Sequence, residues 1–194
     1  MLEIRVARPA DYERIGEIAA QAYAAAGNLD PAGSYLAVLR DAAGRAAAAE
    51  LLVAVDGAGP VGTVTAVRPG DALAEVSRPG ELEFRMLAVA PEAAGRGVGR
   101  LLVEAVLERA RAEGAERVVL CVNETAGTPR RLYERLGFRR LPERDRDLGG
   151  IALLGYGLEV TGPGPGRDEP RRPPADPRGT DRDEPRGDLP AARG

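Results

Sequence analysis

The stretch Leu87-Ala88-Val89-Ala90-Pro91-Glu92-Ala93-Ala94-Gly95-Arg96-Gly97-Val98-Gly99-Arg100-Leu101-Leu102 carries the strongest chemical signal in this chain of 194 residues. A strand-like run enters a turn with glycine at 95, 97 and 99, and the turn leads straight into an amphipathic helix. Glycine opens backbone conformations closed to other residues and lets the main chain come close to a ligand. The N–H groups of a helix's first turn lack internal partners and point one way, and the helix dipole adds to their pull on an anion. Such a turn suits a phosphate or diphosphate. A Walker loop is excluded, because it needs Gly-Lys-Ser/Thr and the chain has no Lys. The dinucleotide pattern G-x-G-x-x-G fails at its last glycine, where Arg100 or Leu102 stands. A plain flexible connection stays open from this segment alone.

The acid–base inventory is short. The sequence has no His, and all 27 basic residues are Arg. Ser-His-Asp and Cys-His nucleophilic sites, His-ligated metals and Schiff-base chemistry are therefore excluded. Proton transfer must fall to Asp, Glu, Tyr or Cys, and no metal is expected. The one cysteine, Cys121, has no neighbour in sequence that would lower its pKa, so it reads as a buried strand residue. A single cysteine also forbids an internal disulfide, which suits a cytoplasmic chain. The net charge of −3 lacks the basic excess of a nucleic-acid binder, and aromatics at 4% offer no stacking platform. No apolar run reaches the ~18–20 residues of a membrane span. The alternating start Met1-Leu2-Glu3-Ile4-Arg5-Val6 lacks the apolar block of a signal peptide. Neither nucleic acid nor membrane is expected as a partner.

Alternating strands and helices must hold the glycine turn in place. Leu2–Arg8 alternates as a strand, and Pro9-Ala10-Asp11 opens a helix with Tyr12, Ile15, Ile18, Ala19 and Ala22 at helical spacing, ending by Gly27. A weaker helix covers about 32–43. Leu51–Val55 and Val61–Val67 form a hairpin across Asp56-Gly57-Ala58-Gly59-Pro60. Glu81–Val89 is a long alternating strand, and the helix after the glycine turn runs through Ala112 to a stop at Gly114. Val118–Val122 is a buried-type strand. Thr128-Pro129 pairs an N-cap with a first-turn proline for a short helix ending at Gly137. A strand from Phe138 and one at 151–160 complete a domain over 1–160. Residues 161–194 hold eight of the 16 prolines and one large aliphatic residue, Leu189, so they read as a disordered tail. Its Pro170-Arg171-Arg172-Pro173 reads as compositional drift before a polyproline ligand.

Three segments resemble the GNAT N-acetyltransferase superfamily. Residues 91–102 look like its Q/R-x-x-G-x-G/A motif, with Gly97 and Gly99 at the small positions and Ala94 departing at the first. Glu83-Phe84-Arg85-Met86-Leu87-Ala88-Val89 resembles the family's fourth strand, E-x-x-x-L-x-V. Leu132-Tyr133-Glu134-Arg135-Leu136-Gly137-Phe138 matches its L-Y-E-x-L-G-F signature. The resemblance implies a three-layer α/β (mixed α+β) fold, a mostly antiparallel sheet of about six or seven strands flanked by about four helices.

It also implies a reaction. Acetyl-CoA would be the donor and a primary amine, small-molecule or peptide, the acceptor, by direct attack in a ternary complex. Glu83 matches the position of a general-base glutamate, with Glu81 two residues earlier on the same strand face as an alternative. Tyr133 matches the tyrosine acid that assists thiolate departure. Main chain at Leu87, Ala88 and Val89 would stabilise the oxyanion and pair with pantetheine. Residues Ala94, Gly95, Arg96, Gly97, Val98, Gly99 and Arg100 would cradle the diphosphate, with Arg96, Arg100 and Arg130 near the phosphates. Asn123, at the end of the fifth strand, is a further cofactor contact, although the family's asparagine falls at Ala126 here. The resemblance allows a homodimer. Two competing readings are an acyl-CoA-binding sensor without turnover and a scaffold whose tail recruits a partner.

Overall fold

Chain order sets the elements: β1 (Glu3–Val6), a 3-10 turn, α1 (Tyr12–Ala25), α2 (Ser34–Arg40), α3 (Ala42–Ala48), β2 (Glu50–Asp56), β3 (Gly59–Val67), β4 (Glu81–Val89), α4 (Val98–Ala112), β5 (Arg117–Asn123), α5 (Gly127–Arg135), β6 (Arg139–Arg140), β7 (Arg146–Leu148) and β8 (Ile151–Glu159). This computed structural model describes residues 2–26 and 34–160. The expected close of the first helix at Gly27, the start of the second at Ala32 and the tail 161–194 lie outside the described residues. The single helix expected over 32–43 is two. Asp41 breaks it and caps α3, its carboxylate accepting from the Gly44 N–H at 2.8 Å. α5 starts before Thr128, with Ala126 at the N-cap and no side-chain cap. β7 is wholly exposed, so no alternation announced it.

The described residues form one sheet of eight strands in the order β1-β2-β3-β4-β5-β8-β6, with β7 paired to β8. All pairings are antiparallel except β4 with β5. That parallel ladder is short: Glu81↔Arg117, Leu82↔Val118 and Glu83↔Val119, and then the strands part. On the other side of β4 the register with β3 shifts between Thr63 and Thr65, a bulge centred on Met86. Met86 has φ +54, the one positive φ at a non-glycine position among the described residues. A bulge moves the side-chain alternation by one residue. Phe84 shares a face with Ala66 before it, whereas Val89 shares that face with Gly62 after it.

Helices cover both faces. Gly62 faces α4, since a Cβ there would meet Val98 and Leu102 at 2.7 and 3.1 Å. Thr65, on the opposite face, accepts from Arg45 of α3 at 3.3 Å. By strand alternation α4 therefore lies on one side and α1–α3 on the other, a three-layer packing. Phe84 looks toward α4; Glu83 and Arg85, paired with Val67 and Thr65, look toward α1–α3. The core between the layers includes Ile18, Leu52, Val64, Phe84, Leu102, Val106 and Leu120, each at most 2% exposed. Arg45 is buried in the α1–α3 layer, its guanidinium donating to the Leu39 carbonyl at 3.0 Å, and burial lowers its pKa.

The C-terminal strands carry a close crossing. Gly155 and Gly157 of β8 let the segment around residues 141–144 lie directly on the strand. A Cβ at Gly155 would sit 2.6 Å from Arg144 Cβ and 2.7 Å from the Leu141 carbonyl. Arg144, brought inside by this crossing, is 5% exposed and donates to Glu81 at 2.9 and 3.0 Å and to the Val76 carbonyl. Gly155→Ala is expected to destabilise by about 1–3 kcal/mol, because backbone must move to admit the methyl. Chemical denaturation measures it. An unchanged midpoint would mean that residues 141–144 shift at no cost.

Candidate active site

The glycine turn becomes a helix start by a specific backbone route. Pro91–Ala93 forms a 3-10 turn, Gly95 and Gly97 take φ of +77 and +80, and α4 begins at Val98 with Gly97 as N-cap. At both left-handed glycines a Cβ would meet nothing within 4 Å. The requirement there is conformational, and the space in front is open. Gly99 differs: its Cβ would touch Leu132 Cδ2 at 3.4 Å and Val89 Cγ2 at 3.7 Å, so it seats α4 against α5 and β4. Not every amide in the turn is free. Ala94 donates to Pro91 at 3.1 Å and Arg96 to Ala93 at 3.3 Å. Among the described residues the N–H groups of Gly97, Val98, Gly99 and Arg100 have no backbone acceptor. Four convergent donors at the positive end of a 15-residue helix fit a diphosphate.

Beside this start lies the edge left by the parting of β4 and β5. Ala90 donates to Val61 on β3 at 2.9 Å, so by alternation the N–H groups of Val89 and Leu87 point the other way, into the gap. Ala88, paired with Thr63, faces back to β3. An extended ligand can therefore add to β4 as a strand would. The residues present fit coenzyme A: donors for its diphosphate, and an open strand edge for its amide-bearing arm.

Tyr133 projects from α5 onto Phe84 of β4. It is 4% exposed and packs edge-on against Phe84 and Phe138, with centroids 5.6 and 5.9 Å away. Burial alone raises its pKa, and its hydroxyl has no hydrogen-bond partner among the described residues. It is a phenol that keeps its proton.

Glu83 comes from the opposite face, and no hydrogen bond joins it to Tyr133. It is 1% exposed, and its Oε2 accepts from three consecutive amides, Glu75, Val76 and Ser77, each at 3.0 Å. Oε1 takes no hydrogen bond from a described residue; the Arg85 Nε lies 3.9 Å away. Glu83 thus anchors the β3–β4 loop with one oxygen and leaves one for chemistry. Glu81 is fully engaged elsewhere, by Arg144, Arg117 and the Arg78 amide. Glu83→Ala is expected to cost about 3 kcal/mol or more, since each buried N–H left unpaired costs about 1–3 kcal/mol. Glu83→Gln keeps an acceptor oxygen and should melt closer to the parent. Equal melting of parent and alanine variant would refute the anchor.

The remaining expected contacts are committed to protein partners. Arg96 pairs with Asp56 at 2.8 Å, tying the glycine turn to the β2–β3 hairpin, and Arg100 pairs with Glu104 at 2.7 Å. Arg130 donates to the Glu124 carbonyl at 3.0 Å and to the Tyr156 hydroxyl at 3.3 Å, bracing α5. Asn123 closes its own turn, with Oδ1 accepting from the Thr125 N–H and hydroxyl at 2.9 Å. The Cys121 thiol donates to the Arg144 carbonyl, and burial followed by the Glu83 and Glu75 charges pushes its pKa up to about 11. A thiol so protonated is no nucleophile. Among the described residues no group of His, Cys, Asp and Glu is placed to hold a metal, and no helix is long and apolar enough to cross a membrane.

A sheet opened beside a strand bulge, next to a glycine-capped helix start, defines a coenzyme A-type cradle. Residues 12–138 match the acetyltransferase (GNAT) family, and the chain belongs to that family. It is therefore an acyltransferase by class. Solved structures agree in fold. An acetyltransferase of the GNAT family from Staphylococcus aureus Mu50 superposes with a TM-score of 0.65 at 14% identity, covering 83% of this chain and 100% of that one. The yncA protein of Salmonella typhimurium, solved with its cofactor acetyl-CoA, gives 0.59 at 22% identity over 84% and 95%. A Bacillus subtilis acetyltransferase in complex with CoA gives 0.60 at 18% identity over 83% and 100%. No curated protein matches the sequence significantly.

Proposed function

We propose that the protein transfers the acetyl group of acetyl-CoA to a primary amine by direct attack in a ternary complex. The observation that carries this reading is the pairing of two open main-chain features: the four unpartnered N–H groups at Gly97–Arg100 and the free edge of β4 at Leu87–Val89. When bound, acetyl-CoA would supply an activated thioester carbonyl whose C–S bond breaks as the amine nitrogen takes the acetyl group, with coenzyme A departing as a thiolate. The chain's own groups do the rest. The N–H of Leu87 or Val89 is aimed into the gap as a fixed donor for the developing oxyanion. Glu83 Oε1 takes the amine proton, directly or through water, while Oε2 stays locked by its three amides. Tyr133 gives its proton to the departing thiolate. Phe84 and Phe138 around the phenol exclude water from that transfer.

The test is release of free thiol from acetyl-CoA in the presence of amines spanning amino acids, polyamines, aminoglycosides and peptide N-termini. Amine-dependent release is the expected result. Tight acetyl-CoA binding with no release across the panel would replace this reading with that of an acyl-CoA sensor.

A further inference from the structure

The Tyr133 hydroxyl has no hydrogen-bond partner among the described residues, so its place is set by its ring contacts and by the helix that carries it. That helix, α5, is nine residues long, has no side-chain cap and buries one of its own side chains, Tyr133 itself. A residue of the sheet supplies a further hold. Tyr156 of β8 is 1% exposed and lies between Leu120 of β5 and Arg140 of β6. Its hydroxyl meets α5 twice, accepting from Arg130 Nε at 3.3 Å and donating to Glu134 Oε1 at 3.1 Å. Those two residues stand one helical turn apart, and Tyr133 lies between them in sequence. Arg130 also donates to the Glu124 carbonyl at 3.0 Å, which ties the helix to the residue that follows β5. The Tyr156 ring is fixed in turn. The Arg140 guanidinium lies over it, 5.3 Å from the centroid, and both oxygens of Asp145 hold Arg140, at 2.9 and 2.8 Å.

Resting on the acetyl-transfer reading, we infer that Tyr156 is a positioning residue, whose hydroxyl holds α5 in place and thereby sets the Tyr133 proton for the departing thiolate. A hydroxyl both accepts and donates, so one phenol serves a cation and an anion on the same helix. Both hydrogen bonds involve an ionised group, the stronger kind. Rotating α5 about its axis, or sliding it, breaks at least one of them. The Tyr133 hydroxyl has no bond of its own to resist such a movement, so a displaced helix carries the acid with it. Misplacement by about 1 Å, from a change remote from the chemistry, costs up to about 10²-fold in rate. Phenylalanine at 156 keeps the ring under Arg140 and removes only the link to the helix. A purely stabilising Tyr156 would instead lower the melting temperature on its loss and leave kcat untouched.

The experiment is a double-mutant cycle on the full chain: parent, Tyr156→Phe, Tyr133→Phe and the pair together. Thiol release with the best amine of the panel gives kcat, and calorimetry gives acetyl-CoA Kd. Tyr156→Phe is expected to lower kcat about tenfold with Kd within about twofold of the parent. In the Tyr133→Phe background the same change should cost less than about twofold, because the group it positions is gone. Parental kcat in folded Tyr156→Phe, or a tenfold loss that multiplies onto that of Tyr133→Phe, would overturn the inference while leaving acetyl transfer standing. If Tyr156→Phe unfolds, Glu134→Ala cuts the same link from an exposed position on the helix and should follow the same pattern. A second readout needs no turnover. The chain has five tyrosines, so ring-labelled tyrosine resonances can be assigned one by one with Phe substitutions. The Tyr133 resonance should shift or broaden in Tyr156→Phe while that of Tyr12 on α1 stays. An unmoved Tyr133 resonance would overturn the inference. A displaced one in a chain that releases no thiol would uphold the positioning and remove acetyl transfer.

Discussion

Tyr133→Phe is expected to lower kcat about 10²–10⁴-fold, the usual contribution of a positioned general acid, with acetyl-CoA Kd within a factor of a few of the parent. The ring keeps its contacts with Phe84 and Phe138, and the hydroxyl has no partner among the described residues. Removing it should therefore change stability by less than about 1 kcal/mol. The pH behaviour follows from the raised pKa. Below pH 10 the phenol is protonated in folded and unfolded chains alike and contributes no pH dependence. Above pH 10 the unfolded chain ionises and the folded one holds its proton, so stability falls as pH rises. Buried Tyr23 acts in the same direction. The parent's melting temperature should decline more steeply than the variant's between about pH 10 and 11.5. A variant with parental kcat would remove Tyr133 from the chemistry.

Gly97→Val is expected to weaken acetyl-CoA binding about hundredfold or more while the domain stays folded. A β-branched residue at φ +80 costs about 1–3 kcal/mol in strain. Relieving it swings the peptide that aims the Gly97 and Val98 N–H groups, and each hydrogen bond lost to a charged ligand is worth about 1.5–3 kcal/mol. Nothing lies within 4 Å of a Cβ there, so no clash with protein confounds the outcome. Isothermal titration reads the Kd, and circular dichroism the fold. Unchanged affinity with an intact fold would mean that the diphosphate binds elsewhere.

Much of this was legible in the sequence, for identifiable reasons. The glycine turn announced itself because left-handed backbone at 95 and 97 admits little else, and the long β4 strand because charged and apolar residues alternate from Glu81 to Met86. The L-Y-E-x-L-G-F match placed Tyr133 on the helix where it lies. What escaped was long-range. Glu81 and Glu83, two residues apart on one strand face, looked equivalent. Only the return of the β3–β4 loop, and of Arg144 from 63 residues onward, separates an anchored carboxylate from a saturated one. Arg85 sat in plain view on the Glu83 face, but its partners Leu73 and Glu75 come from the loop before β4. The bulge at Met86 left no mark either, since nothing in a methionine foretells a positive φ.

The three-rung ladder between β4 and β5 has a thermodynamic corollary. It is a seam, with only Glu81–Glu83 stitched directly to Arg117–Val119 across the sheet's middle. A ligand arm that lies along β4 would act as the missing thread. Saturation at a hundredfold excess over Kd would then add about 2.7 kcal/mol to the free energy of unfolding. Hydrogen exchange should report that gain unevenly, with amides bordering the seam slowing far more than those of β1 at the sheet's edge.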